Sequence, residues 1–139
     1  MCLYKTEYSL RISFEDLDPM NIVWHGNYMK YMEQARCDML AKLNYTYMDM
    51  KKENVGYPVA KMKVKYIKPS TLNDVLTVVT SVEMIEPSLN LKYEIYKNNE
   101  KIFEATTMQI GINMVTGESV YKAPEGLKRA IEGIKNEKS

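Results

Sequence analysis

The chain has 139 residues, 45% of them hydrophobic, which suits a single globular domain over 1–139 whose core needs neither metal nor disulfide staples. Lys plus Arg number 19 against 18 Asp plus Glu, and Arg11, Arg36 and Arg129 are the only arginines, so the composition argues against nucleic-acid recognition and supplies no field toward an anionic membrane. No stretch approaches the roughly 20 apolar residues of a membrane span, and Met1–Leu10, interrupted by Lys5 and Glu7, lacks the core of a signal peptide, so a cytoplasmic protein is expected.

Tyr4 to Phe14 carries aromatic and β-branched residues and predicts a first strand. Asp16, Asp18, Pro19 and Asn21 then break the pattern. From Asn27, a candidate N-cap, the period changes. Met29, Met32, Ala35 or Arg36, Met39, Leu40 and Leu43 recur at three- and four-residue steps and predict a long helix that stops near Asn44. Tyr45 to Asn54 predicts a short second helix, broken by Val55-Gly56-Tyr57-Pro58.

After Pro58 the period is two for nearly sixty residues. Ala60, Met62, Val64 and Tyr66 alternate with Lys61, Lys63 and Lys65, predicting a strand with one apolar and one cationic face. Leu76 to Met84, and Leu89 to Ile95 with its Asn98-Asn99 turn, predict two more strands. Ile102 to Met114 predicts another, and Thr116-Gly117 turns into a short last one near Ser119 to Tyr121. Beyond Pro124 a weaker helical pattern uses Leu127, Ala130, Ile131 and Ile134. One helix against one antiparallel sheet leaves long strand edges exposed, and pairing between two copies would hide them.

The chemistry concentrates between the first strand and the long helix. Asp18 precedes Pro19 and is biased toward extended backbone, which can present its carboxylate to a substrate. Ile22, Val23 and Trp24 would wall the space before it, and desolvation there would make it more basic. His25, the sole histidine, and Gly26 open the helix, where unpaired N–H groups and the helix dipole favour a developing anion. A base beside an oxyanion site suits attack of water on an acyl carbonyl. Asp-x-Asp ahead of a helix reads equally as turn and cap chemistry, and spacing alone does not decide.

The stretch Phe14-Glu15-Asp16-Leu17-Asp18-Pro19-Met20-Asn21-Ile22-Val23-Trp24-His25-Gly26-Asn27-Tyr28 resembles the signature of the 4-hydroxybenzoyl-CoA thioesterase family. It is especially similar to the Tol-Pal-associated acyl-CoA thioesterases. The resemblance implies an α+β hotdog fold, a long central helix wrapped by an antiparallel sheet of five to six strands. It implies homodimers, often paired into homotetramers, with active sites at the dimer interface. The implied activity is cofactor-free hydrolysis of an acyl-CoA or acyl carrier protein thioester. Asp18 would be general base or nucleophile, and the amide at His25 would polarise the carbonyl. Val23, Trp24 and Tyr28, with Val59, Ala60 and Lys61 of the second protomer, would bind substrate. Two departures stand out: Asn21 where many relatives have Gly, and Phe14 where the Tol-Pal type often has Tyr. A non-catalytic acyl-thioester binding module and a hotdog hydratase or dehydratase remain as alternatives.

Other residues have plainer readings. Glu33 pairs with Arg36 at i+3 more readily than it serves as a second acid. The Lys61, Lys63, Lys65 and Lys68 row could grip coenzyme A phosphates, but lysines also keep a strand edge from pairing. Cys2 and Cys37 lack Cys or His neighbours at ligand spacing and read as free thiols, and no metal site is expected.

Overall fold

The computed structural model describes residues 2–138. A strand β1 (Tyr4–Arg11) leads through a one-turn 3-10 helix (Phe14–Asp16) into the helix α1 (Asn27–Lys42). A short helix α2 (Tyr47–Lys52) and a two-residue strand β2 (Val55–Gly56) follow. Then come β3 (Val59–Tyr66), β4 (Val75–Met84), β5 (Leu89–Lys97), β6 (Glu100–Gln109), β7 (Gly111–Asn113), β8 (Ser119–Val120) and the helix α3 (Glu125–Lys138). The main sheet has five antiparallel strands in the order β1-β4-β5-β6-β3, and α1 contacts it at β1 and β4. This is the α+β hotdog architecture expected, with a helix against a five-stranded sheet.

The core forms between these layers. From α1 it takes Tyr28, Tyr31, Met32, Ala35, Met39 and Leu40, and from the sheet Leu76, Val78, Val82, Leu91, Tyr93, Ile95 and Phe103. The expected inward face of β5 (Leu89, Leu91, Tyr93, Ile95) is buried at every position. The methionine stripe of α1 is shifted: Met29 is only half-buried, while Tyr28 and Tyr31 fill the first turns of the core.

Several boundaries differ from the expectation, each for a local reason. The first strand ends at Arg11 because residues 14–16 close a tight turn in which the Ser13 N–H donates to the Asp16 side chain. Asn27 is not the cap of α1; Gly26 is, and the Asn27 side chain instead donates to the Asp16 carbonyl at 2.8 Å. The segment 102–114 is two strands, because the chain leaves the main sheet after Gln109 and β7 joins β2 and β8 in a small second sheet. Val55–Gly56, expected as a break, is thus a strand. The turns are built on asparagine: Asn21, Asn44, Asn54, Asn73, Asn98 and Asn99 all adopt φ between 51° and 66°. Asn reaches that left-handed region at less cost than other residues bearing a Cβ.

β3 departs most from its expected role. Only Val64 is half-buried, and both the apolar and the lysine faces are otherwise exposed. The reason is position: β3 is an outer strand of the sheet, paired only with β6, and the backbone of α1 approaches the sheet most closely at β1 and β4. No helix among the described residues is long and apolar enough to cross a membrane. Both cysteines are free and exposed.

Candidate active site

The loop between β1 and α1 is a small hairpin. Leu17 bridges to Val23, the Asp18 N–H donates to the Ile22 carbonyl at 2.8 Å, and the Asn21 N–H donates to the Asp18 carbonyl at 2.9 Å. Asn21 takes φ 63° at its tip, which is how a chain with Asn in place of Gly keeps this turn. The hairpin docks on the segment before β4: the Val23 N–H donates to the Ser70 carbonyl at 2.8 Å, and the Thr71 hydroxyl to the Asn21 carbonyl at 2.6 Å.

Asp18 is half-buried, on the hairpin arm facing Ile22. Its Oδ1 accepts the Met20 N–H at 2.8 Å, and its other oxygen has no hydrogen bond among the described residues. At the base of the other arm the Trp24 N–H donates to the Asp16 carbonyl at 3.0 Å and the Asn27 N–H to the Trp24 carbonyl at 2.9 Å. The N–H groups of His25 and Gly26, between them, donate to nothing among the described residues. These are the orphan donors that a helix start leaves over.

A groove of about 320 Å³ runs beside this helix start, lined by Ile22, Val23, His25, Tyr28, Tyr66, Ile67, Lys68 and Pro69. Its floor is aromatic: Tyr28 stacks on Phe103 with centroids 4.9 Å apart, and Tyr66 meets both rings edge-on. The Tyr66 hydroxyl donates to the His25 carbonyl at 3.0 Å, tying β3 to the start of α1. The Tyr28 hydroxyl lies 2.7 Å from the Ser70 hydroxyl, and burial chiefly raises its pKa, so the ring stays neutral.

Val23, His25 and Tyr28 therefore meet in one groove, as expected. Trp24 is half-exposed beside the His25 ring at 5.2 Å, outside the groove wall, and Asp18 also stands beyond the wall. Within one protomer the carboxylate thus lacks the apolar enclosure expected for it. Val59, Ala60 and Lys61 do not join this site in the same chain: they begin β3, whereas Tyr66 at its other end touches His25. At about 3.3 Å per residue the separation is roughly 20 Å. Tyr66 to Pro69 had no local signal, because a 41-residue gap separates Tyr66 from His25 in sequence.

Glu33 pairs with Arg36, whose guanidinium also donates to Gln109 Oε1 at 3.2 Å. Lys68 pairs with Glu100 at 2.7 Å, whereas Lys61, Lys63 and Lys65 form no ion pair among the described residues.

Four carboxyl groups are held below their ordinary values. Burial alone would raise Asp16 and Asp74, but Lys30 and Tyr31 donate to the first and Lys97 and the Thr71 N–H to the second. Lys128 lowers Glu86 and Lys101 lowers Glu94. Each binds a proton more readily once unfolded, so its stabilisation is full above the unfolded value near 4 and is lost as pH falls through the folded value. The melting temperature is expected to decline below about pH 4. A melt series from pH 3 to 6 that stayed level would contradict these pairings.

A family model for the thioesterase-like superfamily matches residues 12–131. The chain belongs to that superfamily. An acyl-CoA thioester hydrolase, YbgC, from Escherichia coli is 32% identical over 75 residues, covering 54% of this chain and 56% of that protein. The aligned stretch thus spans little more than half of the relative. An acyl-CoA thioesterase, YbgC, from Haemophilus influenzae is 23% identical over 129 residues, covering 92% of this chain and 95% of its own. A DHNA-CoA thioesterase of Staphylococcus aureus superposes with a TM-score of 0.81 at 26% identity, covering 97% of this chain and 95% of the other. For a thioesterase-like hotdog protein, the β1–α1 loop and the start of α1 are where the geometry above concentrates exposed reactive groups.

Proposed function

We propose that this protein hydrolyses acyl-CoA thioesters. Asp18 acts as general base on water or as nucleophile, and the amides of His25 and Gly26 receive the carbonyl oxygen as it becomes an oxyanion. The observation that carries this reading is the pairing of a carboxylate oxygen without a partner and two free helix-start N–H groups on the two arms of one hairpin. Preorganised donors of this kind stabilise a tetrahedral oxyanion without reorganising during the reaction. The acyl group would lie in the groove along Val23, Tyr28 and Tyr66, with Trp24 at its mouth. The imidazole of His25 is exposed there and available to water or substrate. The names of the relatives favour coenzyme A as carrier; an acyl carrier protein would present the same thioester.

The site is further proposed to be completed by a second copy. The exposed edge of β3 carries Val59, Met62 and Tyr66 at 45–49% exposure, surface that an antiparallel β3–β3 pairing would cover. Such a pairing runs the partner strand in the opposite direction. Val59, Ala60 and Lys61 of one protomer would then approach the Tyr66 end of the other, beside His25. That arrangement would bring the second protomer's residues to a groove that they do not reach within one chain.

The test is release of free thiol from short-chain, long-chain and aromatic acyl-CoAs, with sedimentation of the same preparation. Turnover of at least one class by a dimer or larger assembly is expected. Tight acyl-CoA binding with no thiol released would favour a binding module, and water addition to an enoyl-CoA would favour a hydratase. A strictly monomeric, active protein would remove the shared site.

A further inference from the structure

Asp16, the first acid of the Asp-x-Asp pair, is 4% exposed, and both of its oxygens are engaged. Oδ2 accepts the Tyr31 hydroxyl at 2.9 Å and the Ser13 N–H at 3.4 Å, and Oδ1 accepts the Lys30 ammonium. Its carbonyl takes the Asn27 side chain and the Trp24 N–H. One residue thus holds the 3-10 turn, the returning arm of the hairpin and the first two turns of α1 together. Its carboxylate ties the turn to α1, and its backbone carbonyl ties the returning arm to both. An acid so enclosed, with a hydrogen bond on each oxygen, is not presented to a substrate. Asp18, two residues on and past an extended Leu17, is half-buried and keeps one oxygen with no hydrogen bond among the described residues.

We infer that Asp16 is the positioning residue of the site: through Lys30 and Tyr31 its carboxylate fixes where the Asp18 carboxylate stands relative to the His25 and Gly26 amides. This rests on the thioesterase reading above. Charge-assisted hydrogen bonds to a buried carboxylate are short and directional, so they set position as well as hold the fold. Misplacing a reacting group by about 1 Å can cost on the order of 10²-fold in rate.

The experiment is a cycle of Asp16→Asn, Asp18→Asn and the double variant, each shown folded by circular dichroism, with kcat and KM for thiol release. Asp16→Asn is expected to lower kcat by about 10- to 100-fold with KM changed less than about threefold. In the Asp18→Asn background the same change is expected to cost less than about twofold, since there is no carboxylate left to position. A loss of equal size in both backgrounds, a loss confined to KM, or unchanged kcat in folded Asp16→Asn overturns the inference and leaves the functional reading standing. Full turnover by Asp18→Asn alone overturns that reading and the inference with it. If Asp16→Asn does not fold, Tyr31→Phe removes one donor from Oδ2 while keeping the core ring. It should lower kcat by about three- to tenfold with Asp18 present and scarcely at all without it, and any other pattern decides against Asp16.

Discussion

Asp18→Asn is expected to fold as the parent does and to lose a factor on the order of 10²–10⁴ in kcat for thiol release. The substitution separates structure from chemistry. Asparagine keeps an oxygen that can accept the Met20 N–H, so the hairpin retains the bond that Asp18 Oδ1 makes at 2.8 Å. What disappears is the basic, nucleophilic oxygen without a partner. The groove, its aromatic floor and the free amides of His25 and Gly26 remain, so substrate binding should be nearly unchanged and the loss should fall on kcat. A barrier increase of about 3–5 kcal/mol corresponds to that range. A folded Asp18→Asn protein with undiminished turnover would mean that the carboxylate only braces its loop.

Phe103→Ala should have the largest effect on stability, about 3–5 kcal/mol. Phe103 is fully buried on β6, opposite Tyr66 of β3 and Ile95 of β5 in register. Its ring stacks on Tyr28 and meets Tyr66 edge-on. Truncation removes a fully buried ring at the junction of α1, β5 and the edge strand, and neighbours on opposite sides cannot all collapse into the void. Thermal unfolding should fall by on the order of 10 °C, and Phe103→Leu should cost only about 1–2 kcal/mol. Because Tyr28 and Tyr66 line the groove, the Ala variant should also raise KM below its melting point. A melt within a degree or two of the parent would show that Phe103 does not support the floor.

Much of the architecture was legible because it is local. The two-residue period of Leu89 to Ile95 can be satisfied only with one face buried, and all four residues are. The period change near Asn27 marked the start of α1, although the cap passed to Gly26 and the helix closes at Lys42. The three- and four-residue spacing could not show that Tyr28 and Tyr31 outcompete Met29 for the core. A wide aromatic ring fills the space near Phe103 that a flexible thioether would leave partly open. Nor could alternation in β3 show that its apolar face stays uncovered, since a strand's pattern carries no record of its place in the sheet.

The site divides along the same line. Residue types and spacing singled out the junction at Asp16–Tyr28 as a candidate site, since paired acids, turn formers and a helix start there each impose their own geometry within a few residues. The resemblance of that stretch to a thioesterase signature set the chemical reading above turn capping. Which acid is enclosed and which keeps a free oxygen depended on Lys30 and Tyr31 reaching back from the next turns of α1, and the opposite groove wall came from Tyr66 to Pro69. Those contacts cross long stretches of chain, and only burial against a shared core decides which distant side chains meet.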